Sequence, residues 1–326
     1  MTPPFQLTDR TKRAQDKARV LNEALPWLTR WAGRTIVVKF GGNVGADTDE
    51  VLTAAFCSDV ALLRRVGLNI VVVHGGGPQI SSLAERLGYQ SRFVDGLRVT
   101  DEAMLEIVRM VLLGQVNPQL AGMIGAAGAA AVGVAGTDAG LVTAACRDPR
   151  LGFVGDVVSV DPAILRTLLA DGVVPVVATV ARGTGTGGRP QDYNVNADTV
   201  AGAIAVALAA DKLIYLSNVS GLYEDFGTAD SSLLSEVDTG RLQAMLDAGE
   251  LHTGMVPKVR SVVEALAGGV ARAHLLDGRI EHALLLEIFT DEGIGTMVLP
   301  REEQQDGQPA APPAAGSGGQ AEAVQP

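Results

Sequence analysis

The chain is poor in the residues that most readily announce a chemistry. Among 326 residues there are two cysteines, Cys57 and Cys146, and four histidines. The cysteines form neither a disulfide framework nor a metal-type spacing. No Ser-His-Asp set or metal-ligand group emerges, so no resident metal is expected, and His74, at a strand end, reads as a satisfied structural residue. A GxxxxGK[ST] motif is missing, so any nucleotide must be held without a P-loop. Cations are the minority: Lys+Arg number 26 against 37 Asp+Glu, a formal net charge of -11 that disfavours nucleic acid and anionic membranes as partners. A local basic pocket remains compatible with that balance. No apolar stretch approaches bilayer-spanning length, and even the Ala-rich residues 197–210 carry Asp198. The first five residues, MTPPF, lack an apolar signal core, so the expected location is cytoplasmic.

What the chain has is alternation. Apolar, β-branched runs near 35–39, 69–73, 132–135, 173–179, 212–217 and 270–275 alternate with helical patterns near 49–66, 78–88, 101–113, 161–171, 197–210, 239–247 and 257–267. The pattern predicts an α/β fold, a three-layer αβα sandwich with a central, mainly parallel sheet. Residues 1–33 form an N-terminal extension whose helix carries Ala18, Leu21, Leu25 and Leu28 on one stripe, packed on its own domain or exchanged with another subunit. An N-terminal lobe over 34–190 and a C-terminal lobe over 191–300 are expected, divided at a Gly/Thr-rich loop, 180–191. Residues 301–326, rich in Gln, Pro, Ala and Gly, read as a disordered tail.

Ligands of such sheets collect at the carboxyl ends of the strands. There Lys39 closes the first apolar run and is followed by Phe40-Gly41-Gly42, while the second runs into His74-Gly75-Gly76-Gly77-Pro78. A cation beside glycine N–H groups is a place to hold phosphate. Gly183 to Gly188 fits GxGxxG, but Arg189-Pro190 follows where a dinucleotide site needs a helix, so a surface hairpin is the better reading. Asn196 is a natural N-cap with Asp198 in the first turn, and capping leaves Asn194 unexplained. Arg98 precedes a helix for which Thr100 is the expected cap, and its planar fork suits either a surface acid or a substrate carboxylate. Lys258 falls in a first helical turn, where the helix dipole disfavours a cation.

The segments VVKFGGN (37–43), HGGGPQI (74–80), GLRVTD (96–101), YNVNAD (193–198), NVSGLY (218–223) and GMVPKV (254–259) resemble, in order and approximate spacing, those of the amino acid kinase family. The likeness covers roughly 19–299 and is greatest to the branch that phosphorylates N-acetylglutamate. It implies the amino acid kinase fold and a phosphotransferase with a carboxyl group as acceptor. Such an enzyme makes N-acetyl-L-glutamyl 5-phosphate from N-acetyl-L-glutamate and ATP, with Mg²⁺ bound through the ATP phosphates, in arginine biosynthesis. By the family pattern Lys39 and Lys258 stabilise the transferring phosphoryl group and Asp198 holds both lysines. Gly76, Gly77, Arg98 and Asn194 match substrate positions. Gly41, Gly42, Asn218, Ser220, Gly221, Leu222 and Tyr223, with the 250–252 stretch, match the nucleotide side.

Asn218 departs from the Asp common in that motif and is similar to a related kinase of N-modified α-aminoadipate in lysine biosynthesis. The N-terminal helix and residues 281–296 resemble the arginine-inhibited, hexameric branch, which implies an arginine effector facing His274, Glu287 and Gly293 and a homo-oligomer, dimer or hexamer, joined through that helix. A reading of another class is a regulatory module that binds arginine or nucleotide without turnover. The intact set Lys39, Asp198 and Lys258 counts against it, because a pure binder has no need of the second lysine.

Overall fold

The computed structural model describes residues 8–41, 50–94, 96–224, 231–251, 254–289 and 293–301. Helix α1 (Asp9–Trp31) leads into β1 (Thr35–Phe40), α2 (Glu50–Arg65), β2 (Asn69–His74) and α3 (Gly77–Arg86). A short hairpin, β3 (Phe93–Val94) and β4 (Leu97–Arg98), precedes α4 (Glu102–Val111), which continues through a π-helical turn, Leu112–Val116, into α5 (Asn117–Ala126). Next come β5 (Ala131–Ala135), β6 (Val142–Cys146), β7 (Val154–Val160), α6 (Ala163–Ala170), β8 (Val174–Ala178), β9 (Val180–Thr184) and β10 (Pro190–Val195). The remainder holds α7 (Ala197–Leu208), β11 (Lys212–Ser217), a small pair β12 (Tyr223–Glu224) and β13 (Ser232–Leu233), then β14 (Glu236–Asp238) and α8 (Thr239–Ala248). It closes with α9 (Val256–Ala267), β15 (Ala273–Asp277), α10 (Ala283–Phe289) and β16 (Thr296–Leu299).

Eight strands form the central sheet in the order β14-β16-β15-β11-β1-β2-β8-β5, parallel at every pairing except β15 with β16. Side chains alternate across a strand, so a run of Val and Ile buries both faces. Val37, Val71, Val73 and Leu213 pack on Leu165 of α6, Val200 and Ile204 of α7, Leu242 of α8 and Val259 of α9. Ile36, Val38, Ile70 and Val72 pack on Phe56 and Val60 of α2, Ile124 of α5 and Leu284 of α10. These two helix layers about one sheet are the expected three-layer sandwich. Each such fully buried side chain stabilises the fold by roughly 1.5–3 kcal/mol.

The strand order places the functional crevice. From β1 the chain builds outward through β2 to β8 and β5, then returns after α7 to lay β11 on the opposite side of β1. The reversal at β1 and β11 opens a crevice at their carboxyl ends.

The expected loop at 180–191 is instead two strands. β9 and β10, between β8 and α7, join β6 and β7, between β5 and α6, in a closed four-stranded unit, order β10-β7-β6-β9. Glycine misleads here because it serves close approach: Gly183 lies opposite Ala144, and a Cβ on it would come within 1.7 Å of the Ala144 carbonyl oxygen. The helix expected over 101–113 has Asp101, not Thr100, as its cap, accepting from the Met104 N–H at 2.9 Å, and the π-helical turn carries it on to Ala126. Helix α1 is exposed over residues 9–20, and among its described residues only Trp31 is buried. Of the expected tail at 301–326, residues 302–326 lie outside the described residues, as do Gly42 and residue 252.

Candidate active site

Period-2 alternation sends Lys39 to the same face as Val37, toward the starts of α7 and α9. Asp198 is the second residue of α7, fixed there by Asn196, whose Oδ1 accepts from the Asp198 N–H at 2.8 Å and the Thr199 N–H at 3.2 Å. Lys258 is the third residue of α9. The three side chains meet. Lys39 Nζ lies 2.9 Å from Asp198 Oδ1, as an ion pair without hydrogen-bond alignment, and Lys258 Nζ donates to Asp198 Oδ2 at 3.0 Å.

All three residues are less than 10% exposed, which makes their charge decisive. Burial alone pushes the Asp198 carboxyl up, but the Lys39 and Lys258 ammonium groups override it and hold it down at about 2. Burial lowers Lys258, Asp198 opposes that, and Lys39 adds to it. One acid between two ammonium groups leaves a positive charge uncompensated, a standing attraction for an anion. The Lys39 stem folds back over Gly41, where a Cβ would sit 2.3 Å from Nζ, so this glycine makes room for the cation.

On the β2 side, Gly76 caps α3 without a side chain to satisfy its first N–H groups, which leaves them for a ligand. Gly76 also packs tightly, since a Cβ would lie 2.7 Å from Leu112 of the π-helical turn. His74 is fully buried, and burial lowers it to about 4, so the ring is neutral. Its Nδ1–H then donates to the Gly75 carbonyl at 2.9 Å while Nε2 accepts from Asn117 Nδ2 at 2.9 Å. His74 therefore orients the glycine turn.

Arg98 closes this side. Its Nη1 donates to Ser91 Oγ at 2.5 Å, its Nη2 to the Gly77 carbonyl and Ser81 Oγ, both at 2.9 Å, and the guanidinium stacks 4.7 Å from the Phe93 ring centroid. Among the described residues no carboxylate pairs with it, although it is only 9% exposed. Asn194, on β10, donates to Thr100 Oγ1 at 3.2 Å, and Thr100 in turn donates to the Arg98 carbonyl at 2.9 Å. Thr100 and Asn117 are links the sequence did not single out for these roles, because their partners are far along the chain.

Past β11, Asn218 is exposed and Tyr223 half-buried. Ser220 donates to Asp277 Oδ2 at 3.1 Å. Gly221 and Leu222 are spent on shape: Gly221 has φ +149 with no room for a Cβ beside Thr296, while the Leu222 N–H donates to Thr296 Oγ1 at 2.8 Å and its side chain is in the core. A cavity of about 720 Å³ runs beside the ion triad between Val94 and Leu97 of the hairpin, Asn196 at the start of α7 and Pro257 and Arg260 at the start of α9. It flanks the three charges without being lined by them. Among the described residues no cluster of His, Cys, Asp and Glu could hold a metal ion.

At a separate place, His274 Nδ1 and Glu287 Oε1 lie 2.5 Å apart and Glu287 Oε2 accepts from the Ile294 N–H at 3.1 Å. Burial pushes Glu287 up, but the His274 contact and the Ile294 N–H outweigh it and leave its carboxyl below the ordinary value. With Gly293 and the last turn of α1 they line a cavity of about 320 Å³, joined by Trp31, Lys212 and Arg272. Lys212 sits 4.6 Å from the Trp31 ring centroid, and burial lowers it to about 8.

Residues 34–277 match the sequence profile of a family described as the amino acid kinase family. An acetylglutamate kinase of Symbiobacterium thermophilum is 50% identical over 297 residues, spanning 88% of this chain and 99% of its own. One of Beutenbergia cavernae is 51% identical over 302 residues, 90% of this chain and 95% of its own. Among solved structures, N-acetylglutamate synthase from Neisseria gonorrhoeae, complexed with coenzyme A and N-acetyl-glutamate, superposes with a TM-score of 0.73 at 25% identity, over 86% of this chain and 63% of that one. Carbamate kinase from Giardia lamblia bound to AMP-PNP superposes with a TM-score of 0.65 at 16% identity over 82% of this chain and 99% of that one, a likeness of fold. Sequence and architecture agree, and the chain belongs to the amino acid kinase family.

Proposed function

We propose that the chain transfers the γ-phosphoryl group of ATP to the side-chain carboxylate of N-acetyl-L-glutamate, giving N-acetyl-L-glutamyl 5-phosphate and ADP, in arginine biosynthesis in the cytoplasm. The observation that carries the reading is the buried Lys39–Asp198–Lys258 set with its uncompensated positive charge. The names of relatives that share half their residues with this chain support the same substrate.

The acceptor carboxylate is already ionised at neutral pH, so the reaction needs no general base, and a neutral His74 poses no difficulty. The barrier is the meeting of two anions. Lys39 and Lys258 oppose that charge as it develops, and Asp198 keeps the ammonium groups at fixed positions. Gly76 and Gly77 N–H groups, Arg98 and Asn194 hold the amino-acid substrate, with Arg98 on the α-carboxylate. Gly41 and the stretch from Asn218 to Tyr223 border the nucleotide, and the sequence assigns Gly42 to the same role. Mg²⁺ bound through the ATP phosphates would supply further charge neutralisation there, beside the Lys39 and Lys258 ammonium groups. In this arrangement residues 34–190 bind the amino acid and residues 191–300 bind ATP.

The cavity holding His274, Glu287 and Gly293 is proposed to take arginine as a feedback inhibitor, with Glu287 pairing the ligand's cationic group. The exposed α1, whose last turn walls that cavity, is proposed to join copies of the chain into a dimer or hexamer.

A coupled ADP-release assay tests the reading, run with N-acetylglutamate, N-acetyl-aminoadipate, glutamate and aspartate, with and without millimolar arginine. Highest kcat/KM on N-acetylglutamate, reduced by arginine, is expected. Preference for the aminoadipate derivative would move the substrate to the lysine branch that Asn218 resembles, and no ADP release on any acceptor would overturn the kinase.

A further inference from the structure

We propose that Tyr215 and Ser261 are positioning residues for phosphoryl transfer, two buried hydroxyls that lock the main chain at Asp198 so that its carboxylate stays between the two lysines. The proposal rests on the reading of Lys39 and Lys258 as the groups that stabilise the transferred phosphoryl.

Ion pairs alone do not fix this geometry. A carboxylate can turn about its own bonds, and each lysine reaches it on a flexible four-carbon stem. Lys39, Asp198 and Lys258 also come from three separate elements, β1, α7 and α9. The Asp198 carbonyl oxygen is tied independently of its side chain: Ser261 Oγ donates to it at 2.7 Å, Tyr215 Oη lies 3.2 Å from it, and the two hydroxyl oxygens are 2.7 Å apart. The proton count closes. Ser261 spends its one hydrogen on the carbonyl, and Tyr215 spends its own on Ser261 Oγ, the nearer of its two acceptors.

Each hydroxyl is also bound to one lysine by the fold. Tyr215 pairs in register with Lys39 across β11 and β1. Ser261 stands one helical turn beyond Lys258, whose ammonium lies 6.0 Å from the Tyr215 ring centroid. The two lysine-bearing elements thus converge on the carbonyl of the residue whose carboxylate they share. Space is reserved for the pair, because a Cβ on Gly202 of α7 would come 2.6 Å from Ser261 Oγ and 3.5 Å from the Tyr215 hydroxyl. Tyr215 is 0% and Ser261 3% exposed. Phe and Ala would fill the same interface between α7 and α9, so what the hydroxyls add is a geometric constraint.

The test uses the full chain as Tyr215→Phe, Ser261→Ala and Gly202→Ala, with Lys258→Ala as reference, and reads kcat, both KM values, thermal melting and the pH profile of kcat. The Lys258 ammonium is faced by Asp198 from α7, Lys39 from β1 and Tyr215 from β11. A loosened Asp198 therefore lets Lys258 lose its proton more easily. Expected are a fall in kcat of about tenfold at nearly unchanged KM and an alkaline limb displaced to lower pH in Tyr215→Phe and Ser261→Ala. Gly202→Ala, which keeps both hydroxyls but pushes them apart, should do the same. Wild-type kcat and an unmoved alkaline limb in Tyr215→Phe or Ser261→Ala, with Lys258→Ala impaired, would overturn the proposal. A fully active Lys258→Ala would instead remove the reading on which it rests. A variant that melts early yet keeps the wild-type kcat and limb when assayed below its melt also counts against it, since fold stability alone does not move a pH limb.

Discussion

The two buried cation sites at the carboxyl edge of the sheet are built in opposite ways. Lys39 and Lys258 share an acid of their own, Asp198, at 2.9 and 3.0 Å, while Arg98 is held by two hydroxyls, a carbonyl and an aromatic face. A cation tethered to a resident carboxylate is organised before substrate arrives, and its surplus charge acts where charge develops during reaction. A guanidinium held only by neutral groups is oriented but uncompensated, and its natural complement is a carboxylate brought from outside. In the proposed reaction, this difference assigns the lysines to lowering the barrier and Arg98 to binding.

That division can be broken by substitution. Lys39→Ala and Lys258→Ala should each lower kcat by about 10²-fold or more in steady-state assays at saturating ATP, because each removes charge stabilisation from the transition state. Full kcat in either variant would end the division. Arg98→Ala should instead raise the KM for N-acetylglutamate on the order of 10- to 100-fold with little change in kcat, the value of a charge-assisted carboxylate contact. Arg98→Lys should recover only part of it, because the planar fork is lost.

Acid sharpens the comparison, since only one site contains a carboxylate. Asp198 titrates at about 2 in the folded chain against an ordinary 3.8. The unfolded chain therefore takes up that proton first, and the stability that the group contributes is present above roughly pH 4 and is lost as pH falls toward 2. Melting temperature followed from pH 6 to 3 should drop more steeply in the parent than in Asp198→Asn, whereas Arg98→Ala should keep the parent slope. The smallest effect expected is at the separate cavity: Glu287→Gln should move arginine inhibition to higher concentration, read from activity against arginine.

Much of this was legible in the sequence, for a physical reason that also marks where legibility stops. Buried parallel strands such as β1 and β2 write themselves as Val and Ile runs ending in a cation or glycines, and a capped helix start such as Asn196–Asp198 is written locally as well. Strands β6 and β7 were not legible, and β9 and β10 only as a hairpin about Gly183 to Gly188, because Gly183 and Gly155 sit where neighbouring strands nearly touch and glycine in a strand looks like a loop. Tyr215, Ser261 and Asn117 were silent, and Thr100 was read only as a cap, for another reason. Each acts on a residue distant along the chain, 46 positions between Tyr215 and Ser261 and 94 between Thr100 and Asn194, which no local pattern encodes.

The division between the cations is tested most directly by calorimetric titration of N-acetylglutamate into the parent, Lys258→Ala and Arg98→Ala in the presence of a non-hydrolysable ATP analogue. The account predicts a Kd in Lys258→Ala within about twofold of the parent and a Kd in Arg98→Ala weaker by on the order of 10- to 100-fold. Lost binding in Lys258→Ala, or parent-like binding in Arg98→Ala, would contradict it.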